Sequence, residues 1–137
     1  MAEYTMNNRP PSNTSASAHG GSTLLDDEAA GDPASLGVTI LLANASTDNA
    51  QVNGVSYGDA AREELNYLLY DVPRVGLFLV LTSVPRVSVW LNILQTSSGA
   101  ISHRADQAQL WADSVYMVPP FLGRFIIDAC QNYAHFI

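Results

Sequence analysis

LWADSVYMVPPFLGRFIIDACQN, Leu110 to Asn132, is the stretch on which the fold turns. Met117, Phe121, Phe125 and Ala129 recur every four residues with Leu122 and Ile126 beside them, which predicts a helix over Ser114–Asn132. Pro119 and Pro120 are expected to kink or divide that helix, because each lacks an amide donor and crowds the preceding turn. Ahead of the helix, Asp113 stands two positions after Trp111. A carboxylate beside a flat ring suits carbohydrate chemistry: the ring can face an apolar sugar surface while the acid handles a proton. Two blander roles stay open, a helix N-cap for Asp113 and core packing for Trp111.

Upstream, helical patterns dominate. Asp32 can cap free amides, Pro33 suits the first helical position, and Leu36, Ile40 and Ala43 recur at helical spacing, predicting a helix over Pro33–Asn44. Asn44 to Asn53 is polar and reads as a loop. Ser56 and Asp59 then resemble a capping pair, followed by a stripe of Tyr57, Ala61, Leu65 and Leu68, with Arg62, Glu63 and Asn66 off it. This helix should end near Asp71, since Pro73 disfavours helical geometry at Val72. The class is mainly α.

Met1 to Gly31 reads as a disordered leader, rich in Asn, Ser, Pro, Gly and acidic residues, with Leu24 and Leu25 its one aliphatic pair. It lacks the basic start and continuous apolar run of a signal peptide, so as written nothing directs the chain to secretion, and localisation stays open. The net charge is -7 and the six basic residues are scattered arginines, which argues against nucleic acid as a partner. Cys130 is the single cysteine and reads as a small helical residue, with no intrachain disulfide to form. His19 and His135 stand at no ligand spacing, so a metal site is not expected.

Val75 to Gln95, VGLFLVLTSVPRVSVWLNILQ, differs from its surroundings. It is nearly all apolar, but Pro85 and Arg86 divide it into runs too short to cross a bilayer, so a membrane span is not favoured. Alternation at Val87, Val89, Leu91 and Ile93 is compatible with a strand.

The Trp111-x-Asp113-x-x-Tyr116-Met117-x-x-Pro120-Phe121 block, preceded by GAISHR at Gly99 to Arg104 and DVPR at Asp71 to Arg74, resembles the unsaturated rhamnogalacturonyl hydrolases, glycoside hydrolase family 105. The likeness is greatest to their fungal branch. It covers Asp32 to Arg74 and Thr96 to about Ile137. It implies a partial α/α toroid of the six-hairpin glycosidase type over residues 32–137, interrupted by the apolar insertion at 75–95 and preceded by the leader at 1–31. The implied reaction removes a terminal unsaturated galacturonyl residue from pectin oligosaccharides. An aspartic acid protonates C4 of the C4=C5 double bond, water adds at C5, and the resulting hemiketal opens to release the remaining saccharide, a reaction for which the resemblance implies no metal or organic cofactor.

Carried over by the resemblance, Asp113 matches the proton-donating aspartate, a role that needs a pKa raised by apolar neighbours. Asp32, in DPASLG, is similar to the second active-site carboxylate of a D-x-x-N-x-G segment, although Ser35 replaces the asparagine. Trp111 matches the sugar-facing aromatic, and Met117 of the same block joins the substrate-binding set. His103 and Arg104 match a basic pair near the sugar. Arg104 would hold the uronate carboxylate through two charge-assisted bonds, and His103 would orient a hydroxyl or water. A solvated loop is the alternative for both.

The toroid of the family is far longer than this chain, and nothing in it corresponds to Val75–Gln95. Joining DVPR to TSSGAISHR restores the pattern. Valine codons begin with GT and glutamine can be encoded by CAG, so the segment reads as a translated intron, an idea that fails if mature transcripts retain it. Three functional expectations follow: an incomplete unsaturated uronyl hydrolase, a non-catalytic helical carbohydrate-binding or interaction fragment, or an inactive fragment. Oligomeric state and the preferred linkage are left open by the sequence.

Overall fold

The computed structural model describes residues 1–13, 15–47, 50–72, 74–75, 79–80, 90–91, 100–106 and 114–134. These are mainly α. Helix α1 is Ala2–Asn8, α2 is Gly31–Ser46, α3 is Tyr57–Asn66 and α4 is Ser114–Ala134. Six two-residue strands complete the set, paired antiparallel as β1 (Gln51–Val52) with β2 (Val55–Ser56), β3 (Arg74–Val75) with β6 (Ala100–Ile101), and β4 (Leu79–Val80) with β5 (Trp90–Leu91). Among the described residues, no helix is long and apolar enough to cross a membrane.

Helix α2 is the central element, packed on α3 and on α4. Its N-cap is Ala30 and not Asp32. The amides of Ala30 and Gly31 both donate to the carbonyl of His103, at 2.6 and 3.3 Å, so a distant loop supplies the acceptor that a capping side chain would otherwise provide. Pro33 accordingly sits inside the first turn, where a missing amide costs nothing. Gly37 lets the helices approach closely, because a Cβ there would lie 2.5 Å from the ring of Phe121, which is fully buried.

The predicted cap of α3 is present. The Ser56 Oγ accepts from the Asp59 amide at 3.0 Å and donates to Asp59 Oδ2 at 2.7 Å. Beyond Asn66 the helix widens into a π-helical turn, Tyr67–Asp71, and Val72 is extended ahead of Pro73, as the proline requires. The loop expected over 44–53 is shorter than its composition implied. Helix α2 runs on to Ser46, and Asn53 (φ 53°) and Gly54 (φ 80°) form the tight turn between β1 and β2.

Helix α4 continues through Pro119 and Pro120 without the expected division. The prolines come at its sixth and seventh positions, both exposed, so the carbonyls they leave without an amide partner lie in the first turn of the helix. Val118 and Phe121 are buried, Met117, Leu122, Phe125 and Ala129 are half-buried, and Ile126, expected beside them, is exposed.

The leader is the largest departure from expectation. Residues 1–31 contribute α1 and place Met6 and Leu24 in the core, where Leu24 is 1% exposed. Polar anchors on α3 hold it there. Arg9 pairs with Glu63 at 2.7 Å, Ser12 Oγ donates to the same carboxylate, the Ser22 amide donates to the Glu63 carbonyl, and the Leu24 amide donates to Glu64 Oε2 at 2.8 Å. Composition alone missed this because a few buried side chains suffice when the backbone between them is hydrogen-bonded to a neighbour.

Of the strand expected over 87–93, Trp90 and Leu91 fall within the described residues, opposite Val80 and Leu79. Its remainder lies outside them. Arg74 opposes Ile101 and Val75 opposes Ala100, so the start of the apolar insertion pairs with the first residues described beyond it.

Candidate functional site

Three separated segments of the sequence meet at the N-terminus of α2. His103 follows β6 and is buried, 4% exposed. Met117 comes from the first turn of α4. Both reach Gly31: a Cβ at that residue would lie 2.8 Å from His103 Nδ1 and 2.9 Å from Met117 Sδ. Glycine is therefore required at Gly31 by the space that the imidazole and thioether occupy. Asp32 is the next residue, partly exposed in the first turn of α2, where a carboxylate is favoured by the helix dipole.

Arg104 closes the corner from outside. Its Nη2 lies 2.8 Å from Glu28 Oε2 and its Nε lies 3.2 Å from Asp106 Oδ1, with the side chain 26% exposed. The Asp106 hydrogen bond is the main reason the guanidinium is held above its ordinary pKa. Backbone pairing reinforces the contact, since Ala29 bridges Arg104 and the Ala105 amide donates to the Glu28 carbonyl at 2.8 Å. Glu28 itself has a φ of 62°, a left-handed conformation that a non-glycine residue adopts at some cost in strain.

The structure thus gathers His103, Met117 and the Gly31–Asp32 turn, with Arg104 beside them. The solvated loop considered for His103 does not occur, because its ring covers the bare backbone of Gly31. Trp111 and Asp113 lie outside the described residues; in sequence, Asp113 immediately precedes Ser114, the first residue of α4. Among the described residues, no group of three His, Cys, Asp or Glu side chains could hold a metal ion.

One buried acid escaped the sequence reading. Glu64 is 0% exposed, and burial pushes its carboxyl up from 4.5 to about 8 against the opposing pull of the Leu24 amide, Arg9 and Thr23. Its spacing held the signal: Tyr57, Ala60, Ala61 and Leu68 are buried on the same face. Near it, a cleft of about 410 Å³ is bounded by Pro10, Asn13, Gly21, Asp26, Tyr67 and Asp71. Burial, followed by the charges of Glu64 and Asp71, pushes the Tyr67 hydroxyl up to about 12. Asp71 begins the DVPR segment, so this second polar region borders another of the stretches that carry the resemblance.

Comparison of the chain with protein-family models, with curated proteins and with solved structures gave no match.

Proposed function

We propose that this chain carries part of the saccharide-handling end of an α/α toroid and acts on unsaturated galacturonyl residues of pectin oligosaccharides. The observation that carries this reading is the meeting of His103 and Met117 on Gly31, beside Asp32. These residues come from or adjoin DPASLG, GAISHR and the Trp111–Phe121 block, which are the segments on which the resemblance rests.

In this reading Asp113, as the neutral acid, gives its proton to C4 of the unsaturated ring. Water adds at C5 and returns a proton to the carboxylate. The hemiketal then opens by breaking its C5–O5 ring bond. The hemiacetal left at C1 collapses to an aldehyde and releases the saccharide as an alcohol, so no oxidant or cofactor enters the balance. Trp111 faces the sugar ring and Arg104 receives the uronate carboxylate after leaving Glu28 or Asp106. The test is the loss of ultraviolet absorbance from the unsaturated uronyl group. Turnover by the chain, lowered at least about a thousandfold in Asp113→Asn, supports the reading, and absence of turnover in the folded protein sinks it.

A second reading, a non-catalytic saccharide-binding fragment, draws on a specific observation. Arg104 is already engaged by two carboxylates, and His103 is almost fully buried. Saccharide binding without any turnover, measured by calorimetry, would favour it.

A further inference from the structure

Between Tyr116 and Cys130, the residues of α4 that face solvent occupy positions 116, 119, 120, 123, 126, 127 and 130, and none of them is charged. A helix face that meets only water ordinarily carries charged or polar side chains. Tyr116 is 81%, Ile126 62% and Ile127 51% exposed, so the unpartnered face is large as well as apolar. The positions are also symmetric about Gly123.

We propose that this face binds a second copy of the chain, with two α4 helices packed antiparallel across a two-fold axis at Gly123. The same patch must then complement itself, the defining property of an isologous contact. Here it does so residue by residue: Tyr116 meets Cys130, large against small; Pro119 meets Ile127; Pro120 meets Ile126; and Gly123 meets its own copy. A Cβ at Gly123 would find nothing within 4 Å, so the backbone there lies open to close approach by a partner. Positions 116, 120, 123, 127 and 130 alternate steps of four and three, the spacing of a coiled-coil seam whose helices cross at about 20°.

Electrostatics and area favour the same occupant. Arg124 and Asp128 flank the stripe and are tied to each other at 2.9 Å, so the face is locally neutral although the chain carries a net charge of -7. Like-charge repulsion therefore does not fall on the seam. Fully covered, the exposed stripe would bury roughly 500 Å² per copy, or roughly 1,000 Å² in all, the size of a weak, concentration-dependent interface.

Sedimentation equilibrium of the full chain at roughly 100 µM should show a dimer, with Ile126→Glu weakening it at least about tenfold while leaving the circular dichroism spectrum unchanged. Oxidation adds a geometric arm. Gly123→Cys in a Cys130→Ser background should form a disulfide-linked dimer, whereas the wild-type chain should not, because its two Cys130 residues would be roughly 20 Å apart. A monomeric wild type at that concentration, a dimer indifferent to Ile126→Glu, or wild-type cross-linking through Cys130 as efficient as that at position 123 would each overturn the proposal.

Discussion

Two corners of the molecule join distant segments to a helix, and they do so with opposite electrostatics. At the leader corner, the Leu24 amide donates to Glu64, and the acid is sealed from water. At the α2 corner, Arg104 meets Glu28 and Asp106 at the surface, while the His103 carbonyl receives the first amides of the helix. The first arrangement removes a titratable group from water and makes that junction sensitive to pH. The second keeps its charges partly hydrated, so it contributes little to stability. A corner that handles a charged ligand should be of the second kind.

The largest expected effect breaks the comparison on the leader side. The folded carboxyl of Glu64, at about 8, lies above its ordinary value of 4.5, so the folded chain holds a proton that the unfolded chain releases between those values. Its contribution is complete below pH 4.5, falls as pH rises, and is exhausted above about pH 8. The full loss is on the order of 5 kcal/mol, at no more than about 1.4 kcal/mol per pH unit. Denaturant unfolding across this range should show the decline in wild type. In Glu64→Gln, whose side-chain oxygen can still accept from the Leu24 amide, this component should vanish and stability at pH 7 should exceed that of wild type. An equal pH slope in both proteins would show that Glu64 is not buried as a neutral acid.

An intermediate effect is expected at the other corner. Gly31→Ala places a methyl group 2.8 Å from His103 Nδ1 and 2.9 Å from Met117 Sδ. Both groups are side chains, so the site yields by displacing them, at a cost of roughly 1–3 kcal/mol. The melting temperature should drop. Under the proposed function, saccharide turnover should fall further than the lost stability accounts for, because the residues that move are those assigned to the sugar. Turnover unchanged despite a lower melting temperature would separate the corner from the chemistry.

These two corners also show what the sequence could disclose. The Ser56–Asp59 cap and the four-residue repeat of Met117, Phe121 and Phe125 are local signals, and both elements formed where that chemistry placed them. Asn53-Gly54 was an equally local signal of a tight turn, hidden within a polar run. Glu64 occupies a buried position with a residue type that usually faces water, and only the leader lying over it explains that choice. Met6 and Leu24 are too far apart in sequence to give a periodicity, so their burial depends on tertiary contact. The convergence of His103 and Met117 on Gly31 is likewise non-local. The resemblance placed both near a sugar, but the requirement for glycine between them appears only in three dimensions.

The smallest effect on stability, and the one that sharpens the contrast most, is expected at Arg104. Its contacts with Glu28 and Asp106 are solvent-screened, and exposed pairs of this kind contribute little to stability. Arg104→Gln should therefore leave the melting temperature within a degree or two of wild type, by contrast with Gly31→Ala. If the guanidinium receives the uronate carboxylate, the same substitution should raise KM for the unsaturated galacturonide at least about tenfold, since two charge-assisted hydrogen bonds are lost at once. Arg104→Lys should recover only part of that loss, because an ammonium cannot offer two donors in a fork. A large fall in stability would show that the ion pairs are structural, whereas unchanged stability and unchanged KM would remove Arg104 from the saccharide site and leave its exposed charge without a ligand.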